Sequence, residues 1–227
     1  MKIHQEVLKA EKQIRKFIRK TPIEFSPYLS KLCNCNVYLK LESEQLTGSF
    51  KIRGAFNKLL SCKSELNNGF ITASTGNHGK AVAYVSKMLN LKGTVYVPKK
   101  VSKTKLEAIK FYGINIKKYD GTSGETEIHA RKVAEKQEIP FISPYNDIDI
   151  VAGQGTVGYE IWEQLQDINA IFVCIGGGGL ISGIAGYLKH KNKSLKVLGC
   201  EPRNSCAMSV SIKAGKVIEF DHKPTLS

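Results

Sequence analysis

Short apolar runs alternate with amphipathic stretches along most of this 227-residue chain. The apolar runs have the length and composition of buried strands, whereas the stretches between them repeat hydrophobic residues at helical spacing. The pattern predicts strands at residues 36–42, 69–73, 94–97, 114–119, 140–143, 170–175 and 196–200. It predicts helices that begin near residue 49 and at 80–89, 103–112, 125–137, 157–166 and 180–189. Because strands that alternate with helices form parallel sheets covered by helices, we predict an α/β fold.

The composition is that of an ordinary globular domain. Hydrophobic residues make up 42% of the chain and charged residues 24%, which excludes wholesale disorder. The first twenty residues carry charges throughout, so we expect neither a secretory signal nor a membrane span. The six cysteines form no C-x-x-C pair and the histidines lie far apart, so we expect no zinc site and no disulfide framework. A cytoplasmic location is therefore predicted.

The formal net charge of +14 raises the question of a nucleic-acid partner, because clustered Lys and Arg neutralise phosphate backbones. The lysines are instead scattered over nearly every predicted helix, and aromatic residues do not interleave with them as a stacking surface requires. We therefore predict a solvated basic surface and no nucleic-acid partner, with the basic segment 9–20 as the one exception to the scatter. A small anionic ligand would still gain from the positive field.

Four consecutive glycines, Gly176, Gly177, Gly178 and Gly179, follow a predicted apolar strand and precede a predicted helix. Glycines allow positive φ and close backbone approach, so their N–H groups and the helix N-terminus can surround a phosphate. A tight strand-to-helix turn is the alternative, but it needs only one or two glycines. The run is not a dinucleotide fingerprint, because Ile181 stands where the third glycine of G-x-G-x-x-G belongs. We therefore predict an anion site here.

A literal G-x-G-x-x-G occurs at residues 153–158, ahead of a predicted helix. A nicotinamide site would need an acidic residue about twenty positions later to hold the ribose. That position falls in the apolar strand at 172–175, which contains no Asp or Glu. We interpret these glycines as positions of close helix packing, with nicotinamide binding as the weaker alternative.

Two further strand-to-helix loops carry polar residues. The stretch 74–79 (STGNHG) places hydroxyls, an amide, an imidazole and backbone N–H groups at a helix N-terminus, which suits a carboxylate or a phenolic oxygen. The alternative is an N-cap turn with Asn77 in the left-handed conformation. In the stretch 45–55 (QLTGSFKIRGA), Ser49 is the predicted N-cap of a helix and Lys51 falls in its first turn. The predicted apolar face of that helix consists of Ile52, Phe56, Leu59 and Leu60.

Taken together, these loops resemble the pyridoxal-phosphate enzymes of the tryptophan-synthase β-like fold, and among them the serine/threonine dehydratase and serine racemase family. The resemblance rests on six motifs in matching order: T-G-S-F-K-x-R-G-A, S-x-G-N-H-G, P-x-N-D, A-G-Q-G-T, the tetraglycine loop and G-x-E-P. It implies two lobes, each with a mostly parallel sheet flanked by helices. The larger, cofactor-binding lobe would comprise residues 1–63 and 147–227, and the smaller inserted lobe residues 64–146.

The resemblance also implies a cofactor, pyridoxal 5'-phosphate, and assigns residues to it. Lys51 matches the lysine that forms the Schiff base with the cofactor, and Phe50 is placed beside the cofactor ring. Asn77 matches the asparagine that hydrogen-bonds the phenolic oxygen. The four glycines at 176–179 match the loop that binds the phosphate.

The implied substrate is a small amino acid. Ser74, Thr75 and His78 match the loop that holds its carboxylate, and Asn146 matches a substrate-binding position in the P-x-N-D motif. Lys51 and Thr75 are the implied catalytic residues, because Lys51 would remove the α-proton and Thr75 matches a serine that acts as acid and base in the racemase. Since Thr75 retains the hydroxyl but adds a methyl group and stiffens χ1, elimination is favoured over racemisation.

Some family members bind a divalent cation near the G-x-E-P strand. Glu201 matches one ligand, but Ala207 stands where an acidic ligand is expected. We therefore predict a weak or absent metal site.

The predicted function is that of an L-serine/L-threonine dehydratase, an ammonia-lyase that releases a 2-oxo acid and ammonia by β-elimination. The alternatives are a catalytically impaired protein that binds pyridoxal phosphate, and a serine racemase. The chain stops at residues 224–227, where similar proteins continue with T-L-[AS]-D-G and the last quarter of the fold, so a C-terminal truncation is expected. Missing sheet elements would expose apolar surface, which predicts a homodimer or a complementing C-terminal fragment as partner.

Overall fold

The computed structural model describes residues 2–220, 223 and 225. Its helices are Ile3–Ile14 (α1), Pro27–Cys33 (α2), Lys51–Ser61 (α3), Asn77–Leu89 (α4), Lys103–Lys110 (α5), Ser123–Lys136 (α6), Ile148–Gln164 (α7), Gly179–Lys191 (α8) and Ala207–Ala214 (α9). Its strands are Ile23–Phe25 (β1), Tyr38–Lys40 (β2), Phe70–Ala73 (β3), Gly93–Pro98 (β4), Asn115–Tyr119 (β5), Ala170–Cys174 (β6) and Lys196–Cys200 (β7). No helix among these residues is long and apolar enough to cross a membrane. The predicted chain end at 224–227 lies, apart from Thr225, outside the described residues.

Two of the sheets are parallel and covered by helices. β3, β4 and β5 form one sheet in that order, in which Ile71 is paired with Thr94. β6 and β7 form a second parallel pair, with Val173 opposite Gly199. Helices α4, α5 and α8 connect successive strands of these sheets. The predicted α/β fold with parallel sheets flanked by helices is confirmed, while the residue limits of the two lobes stay a prediction.

The elements predicted between residues 69 and 137 agree with the structure to within three residues at every end. The strand predicted at 36–42 is wrong in its length and in its kind of pairing. β2 has three residues and pairs antiparallel with β1, which is itself too short to give a periodic signal. The segment predicted as extended at 140–143 makes one parallel bridge, between Phe141 and Ile71.

α7 is the largest departure from the predicted elements. It begins at Ile148 and not at the predicted residue 157. Asp147 caps it, because its Oδ1 accepts the backbone N–H of Asp149 at 2.8 Å and of Ile150 at 3.3 Å. The glycines of residues 153–158 therefore lie within a helix and do not form a phosphate-binding turn ahead of one. The nicotinamide alternative loses its basis.

The glycines of α7 let three helices approach it closely, as the packing interpretation predicts. A Cβ at Gly153 would lie 2.6 Å from the Cα of Gly54 in α3. A Cβ at Gly155 would collide with the side chain of Val7 in α1. α8 packs on the same helix, where a Cβ at Gly158 would come within 3.2 Å of its backbone. These contacts fix α3, and with it the start of the helix that carries Lys51.

α3 begins at Lys51 and not at the predicted N-cap. Phe50 occupies the N-cap position and makes no side-chain cap bond. The hydroxyl of Ser49 is instead buried, with no hydrogen-bond partner among the described residues. The predicted apolar face is confirmed in the core cluster, in which the buried members are Ile52, Phe56 and Leu59 and the partly buried one is Leu60.

A buried charge network ties α3 to α7 and to the N-terminal part of the chain. The fully buried guanidinium of Arg53 donates to Glu160 at 2.8 Å and to Glu42 at 2.7 Å. Lys40 and Arg15 also bind Glu160, at 2.7 and 2.6 Å. Burial alone would raise the pKa of Glu160, but the hydrogen bonds and positive charges of Arg53 and Lys40 lower it to about 2.

One face of the β6–β7 pair is open to solvent. Phe172 and Leu198, which are paired across the two strands, are 70% and 40% exposed. The next pair on the same face of the sheet, Cys174 and Cys200, is also exposed. We call these four residues the open sheet face. An apolar face of this kind is typical of a surface that another polypeptide covers.

Glu160→Gln removes the negative charge that Arg53, Lys40 and Arg15 share. Because Lys40 then has no carboxylate partner among the described residues and Arg53 keeps only Glu42, we expect a loss of about 3 kcal/mol in the free energy of unfolding. Urea denaturation at pH 7 measures it. Glu107→Gln is the matched control, since Glu107 is exposed and pairs with the neighbouring Lys110. Its expected loss is below about 0.5 kcal/mol, and equal losses in the two variants would contradict the role of the network.

The same network predicts acid sensitivity. The pKa of Glu160 is lowered in the folded state to about 2, so its ionised form stabilises the fold above about pH 4.5. That contribution is lost as the pH falls from 4.5 towards 2. We expect the difference in unfolding free energy between the wild-type chain and Glu160→Gln to shrink over this range. Denaturation curves at pH 7 and pH 3 measure it, and a difference that does not change with pH contradicts the prediction.

Candidate active site

Lys51 brings an amine with a lowered pKa into a cleft. Its Nζ donates to the carbonyl oxygen of Pro144 at 2.8 Å and lies 5.3 Å from the centroid of the Phe50 ring. Burial lowers the pKa of Lys51 from its ordinary 10.5 to about 8. About a tenth of this amine is therefore uncharged at pH 7, far more than for a solvated lysine. The uncharged amine is the form that attacks a carbonyl carbon.

The loop between β3 and α4 supplies backbone donors in the same cleft. Asn77 is the first residue of α4, and Gly76 precedes it without a side-chain cap, so N–H groups of the first turn remain for a ligand. Asn77 is thus helical and not left-handed. Gly79 has to be glycine, because a Cβ there would lie 2.6 Å from the carbonyl oxygen of Ser74. The loop and the helix terminus together suit a carboxylate.

His78 is held as a neutral ring. The hydroxyl of Thr72 donates to the carbonyl of Ile142 at 2.7 Å, so its oxygen can only accept from Nε2 of His78, 3.1 Å away. Nδ1 is then an acceptor, and it is buried without a hydrogen-bond partner in the described part of the chain. Burial, with a smaller contribution from the charge of Lys51, lowers the pKa of His78 to about 3. The imidazole offers no N–H to a carboxylate, so the predicted substrate contact of His78 depends on its backbone N–H.

These side chains meet in one cleft of about 430 Å³ at the carboxyl end of β3, where parallel sheets bind ligands. Five of the predicted site residues line it: Lys51, Ser74, Thr75, Asn77 and His78. The rest of the lining includes Pro144, Tyr145 and the start of α6. We call the α6 part the α6 wall, which consists of Ser123, Gly124, Thr126 and Glu127.

A larger groove of about 580 Å³ lies at the other end of the same sheet. Its lining includes Gly93 and Asn115, the first residues of β4 and β5. Ligands of open α/β sheets bind at the carboxyl ends of strands, and none of the predicted site residues lines this groove. The smaller cleft is therefore the candidate active site.

The glycine loop lies between β6 and α8. Gly178 has a φ of +82°, in the left-handed region that favours glycine. Gly177 packs against the ring of Tyr145 so tightly that a Cβ would collide with it. Among the described residues, the N–H groups of Gly176, Gly177 and Gly178 donate to no other main-chain group. Open donors at the N-terminus of a 13-residue helix fit a phosphate group.

Three predicted site features lie outside the cleft lining. The glycine loop contacts the cleft through Tyr145, whose backbone oxygen would be 3.0 Å from a Cβ at Gly179. Phe50 is partly buried against a core cluster and reaches the site through its contact with Lys51. Asn146 is exposed, and its backbone N–H donates to Oγ of Ser143 at 3.0 Å. The assigned roles of these residues stay predictions.

Glu127 and Tyr145 line the cleft but are not among the site residues predicted from the sequence. The hydroxyl of Tyr145 lies 3.3 Å from both carboxylate oxygens of Glu127, and Arg131 binds that carboxylate at 2.7 Å. Tyr145 occupies the unassigned position of the P-x-N-D motif, which is the signal that could have found it. Glu127 has no such signal, because a glutamate on an amphipathic helix is usually a solvated charge.

Glu201 has a structural role at the predicted metal position. Its carboxylate accepts the backbone N–H groups of Met208 at 3.0 Å and Ser209 at 2.8 Å, and so caps α9, which begins at Ala207. No group of three His, Cys, Asp or Glu side chains within residues 2–220 is placed to hold a metal ion. The weak or absent metal site stays a prediction.

Known proteins are similar to this chain in sequence and in structure. The family model for "Pyridoxal-phosphate dependent enzyme" matches residues 14–227. The chain is 40% identical over 222 residues to a biosynthetic L-threonine dehydratase of Halalkalibacterium halodurans, covering 96% of this chain and 54% of that protein. The structure of this chain is similar to that of maize serine racemase, with a TM-score of 0.91 and 32% identity. The similarity covers 96% of this chain and 66% of the maize chain.

The processed form of threonine deaminase isoform 2 from Solanum lycopersicum is also similar. The TM-score is 0.90 and the identity 33%, covering 97% of this chain and 65% of that one. The chain therefore spans about half the length of the dehydratase relative and about two thirds of each solved chain.

The residues in hand fit the cofactor that this family uses. Lys51 provides an amine with a lowered pKa, and the glycine loop provides backbone donors that no described main-chain acceptor uses. The family model covers most of the chain, from residue 14 onwards. On these grounds the chain belongs to the pyridoxal-phosphate dependent enzymes.

Proposed function

We propose that this chain carries the cofactor and substrate site of an L-serine/L-threonine dehydratase, which releases a 2-oxo acid and ammonia by β-elimination. The observation that carries the proposal is the position of Lys51. Its amine, with a pKa lowered to about 8, lines the same cleft as the loop and N-terminus of α4. The 40% identity to an L-threonine dehydratase supports this reaction class.

Four parts of the chain would hold pyridoxal phosphate. Nζ of Lys51 would bond the aldehyde carbon, and the N–H groups of residues 176–179 would bind the phosphate. The side-chain amide of Asn77 would donate to the phenolic oxygen, and Phe50 would flank the ring. When bound, the cofactor supplies an electron sink that stabilises negative charge at the α-carbon of the substrate.

Lys51 is the base of the proposed reaction. Its Nζ accepts the proton from the α-carbon and, as an ammonium, gives a proton to the departing β-hydroxyl, which leaves as water. A second water then replaces the amino nitrogen, so that a 2-oxo acid and ammonia are released. The carbonyl of Pro144, 2.8 Å from Nζ, keeps the amine in the cleft between these transfers.

The substrate carboxylate would bind at the start of α4. Backbone N–H groups there face no side-chain cap, and the hydroxyls of Ser74 and Thr75 line the same cleft. The neutral ring of His78 adds no positive charge at this point. The carboxylate is therefore held by helix-terminal donors, as anions commonly are.

Lys51→Ala tests the proposal directly. We expect it to abolish the formation of 2-oxo acid from L-serine and L-threonine, because both the cofactor bond and the base are lost. Borohydride reduction with added pyridoxal phosphate, followed by peptide mass mapping, should label Lys51 in the wild-type chain. Lys110→Ala is the control, since Lys110 is exposed on α5 and should leave label and turnover unchanged. Turnover that survives in Lys51→Ala overturns the proposal.

The lowered pKa of Lys51 predicts how its reaction with pyridoxal phosphate depends on pH. An amine attacks only when deprotonated, so the initial rate of labelling should rise through a midpoint near pH 8. A solvated lysine would give a midpoint near its ordinary pKa of 10.5. Peptide-resolved labelling between pH 6 and pH 11 measures the two midpoints in one sample. A midpoint for Lys51 that equals that of exposed lysines contradicts the prediction.

Serine racemase is the second candidate, favoured by the structural similarity to the maize enzyme. Thr75 would then have to exchange the α-proton on the face that Lys51 does not reach. The formation of D-serine, followed in parallel with 2-oxo acid, separates the two activities. Label on Lys51 without any turnover instead supports the other alternative, a protein that binds the cofactor but is catalytically impaired.

The partner of the chain is proposed to be either a second copy of itself or a complementing C-terminal fragment. The exposed apolar residues Phe172 and Leu198 of the open sheet face support a covering polypeptide. Light scattering of the purified chain distinguishes a dimer from a monomer. A cytoplasmic location remains part of the proposal.

A further inference from the structure

The charges around the candidate cleft are unevenly placed. Among the residues that line it in the described part of the chain, Lys51 is the one cation and Glu127 the one acidic residue. His78 contributes a neutral ring, because burial lowers its pKa to about 3. The α4 terminus offers N–H donors to a carboxylate, whereas the α6 wall presents a carboxylate of its own. An amino acid bound between them meets opposite polarity at its two ends.

The Glu127 carboxylate is held in place by its neighbours. Oε1 accepts from Nη2 of Arg131 at 2.7 Å and from its Nε at 3.1 Å. The Arg131 guanidinium lies 4.2 Å from the ring centroid of Phe141 and also donates to Oγ of Ser143 at 3.4 Å. These contacts hold the Arg131 guanidinium beside Phe141 and Ser143, and Arg131 is not among the residues that line the cleft. The side chain of Glu127 is 19% exposed, which shields it from water without isolating it from the cleft.

One oxygen of Glu127 keeps most of its capacity to accept hydrogen bonds. The hydroxyl of Tyr145 lies 3.3 Å from Oε1 and 3.3 Å from Oε2, and its single hydrogen can serve only one of them. Oε2 has no other partner among the described residues. An ionised carboxylate accepts hydrogen bonds and donates none. It therefore binds an O–H or N–H group and repels a carboxylate.

We propose that Glu127 is a specificity-determining residue of the cleft, which accepts a hydrogen bond from a donor on the substrate side chain and excludes amino acids whose side chain is acidic. The inference rests on the proposed function, since it assumes that an amino acid occupies this cleft. It adds the class of side chain: hydroxyl-bearing residues are accepted and carboxylate-bearing residues are rejected. Rejection by a fixed like charge is a common way in which binding sites gain specificity.

The effect follows from the electrostatics of the cleft. A substrate carboxylate near Oε2 would place two negative charges together in a partly desolvated site, where their repulsion is stronger than in water. The β-hydroxyl of serine or threonine would instead donate to Oε2. Replacing Glu127 with glutamine keeps the shape and one acceptor but removes the charge, so the penalty for an acidic substrate should fall while hydroxyl binding is largely kept.

The test measures binding and not only turnover. The full chain is loaded with pyridoxal phosphate, and apparent dissociation constants for L-serine and L-aspartate are obtained from the change in cofactor absorbance. In the wild-type chain we expect serine to bind at least tenfold more tightly than aspartate. In Glu127→Gln we expect that ratio to fall at least tenfold, mainly through tighter aspartate binding. Glu107→Gln removes the same charge from the exposed face of α5 and should leave the ratio unchanged.

A further variant and a separate measurement keep the outcomes distinct. Glu127→Asp retains the charge and should retain the preference for serine. Glu127→Ala also removes the charge, and it replaces Glu127→Gln if that variant does not fold. Borohydride labelling of Lys51 reports on each variant whether the cofactor site is intact. Two results, each obtained with label at Lys51, overturn the inference and leave the proposed function standing. In the first, the preference for serine over aspartate in Glu127→Gln stays within twofold of the wild-type value. In the second, the preference falls as far in Glu127→Asp as in Glu127→Gln. Absence of label in every protein overturns both.

Discussion

Arg53 lies two residues after Lys51 in α3, and its guanidinium is fully buried. A buried charge is tolerated only where partners compensate it, so α3 can pack only where Glu42 and Glu160 meet this side chain. Those partners come from the segment after β2 and from α7, which are distant from each other along the chain. The position of Lys51 at the start of α3 therefore depends on a charge network that takes no part in the chemistry.

The glycines of α7 serve the same requirement by a different means. Gly153 removes the side chain that would keep α7 away from the backbone of Gly54 in α3, and Gly155 does so for Val7 in α1. Close helix contact and ion pairing thus act on the same surfaces. The position of Lys51 in the cleft depends on this packing, whereas the other polar groups of the cleft come from the loop after β3, the start of α4 and the α6 wall.

Much of the fold and part of the site can be predicted from the sequence. The elements from β3 to α6 follow from the alternation of short apolar runs with stretches that repeat hydrophobic residues at helical spacing. The predicted start of α7 is too late, because glycines are typical of turns. Their place in a helix becomes clear only when their packing partners in other helices are known. Lys51 and Asn77 are found through motifs. Glu127 and the neutral form of His78 are not, because both depend on contacts, with Arg131 and Thr72, that only the folded chain creates.

The place of α1 in the core has a consequence for how the chain is made. Val7 is buried in a cluster with Ile184, Tyr187 and Leu188, which come from α8, and α1 also packs against α7. From Ile14 at the end of α1 to Ile148 at the start of α7 is 134 residues. At about 5 to 20 residues per second, a ribosome needs roughly 7 to 27 s to cover that distance. α1 therefore leaves the ribosome well before α7 and α8, and the apolar face that it buries against them is a surface that chaperones can bind during synthesis.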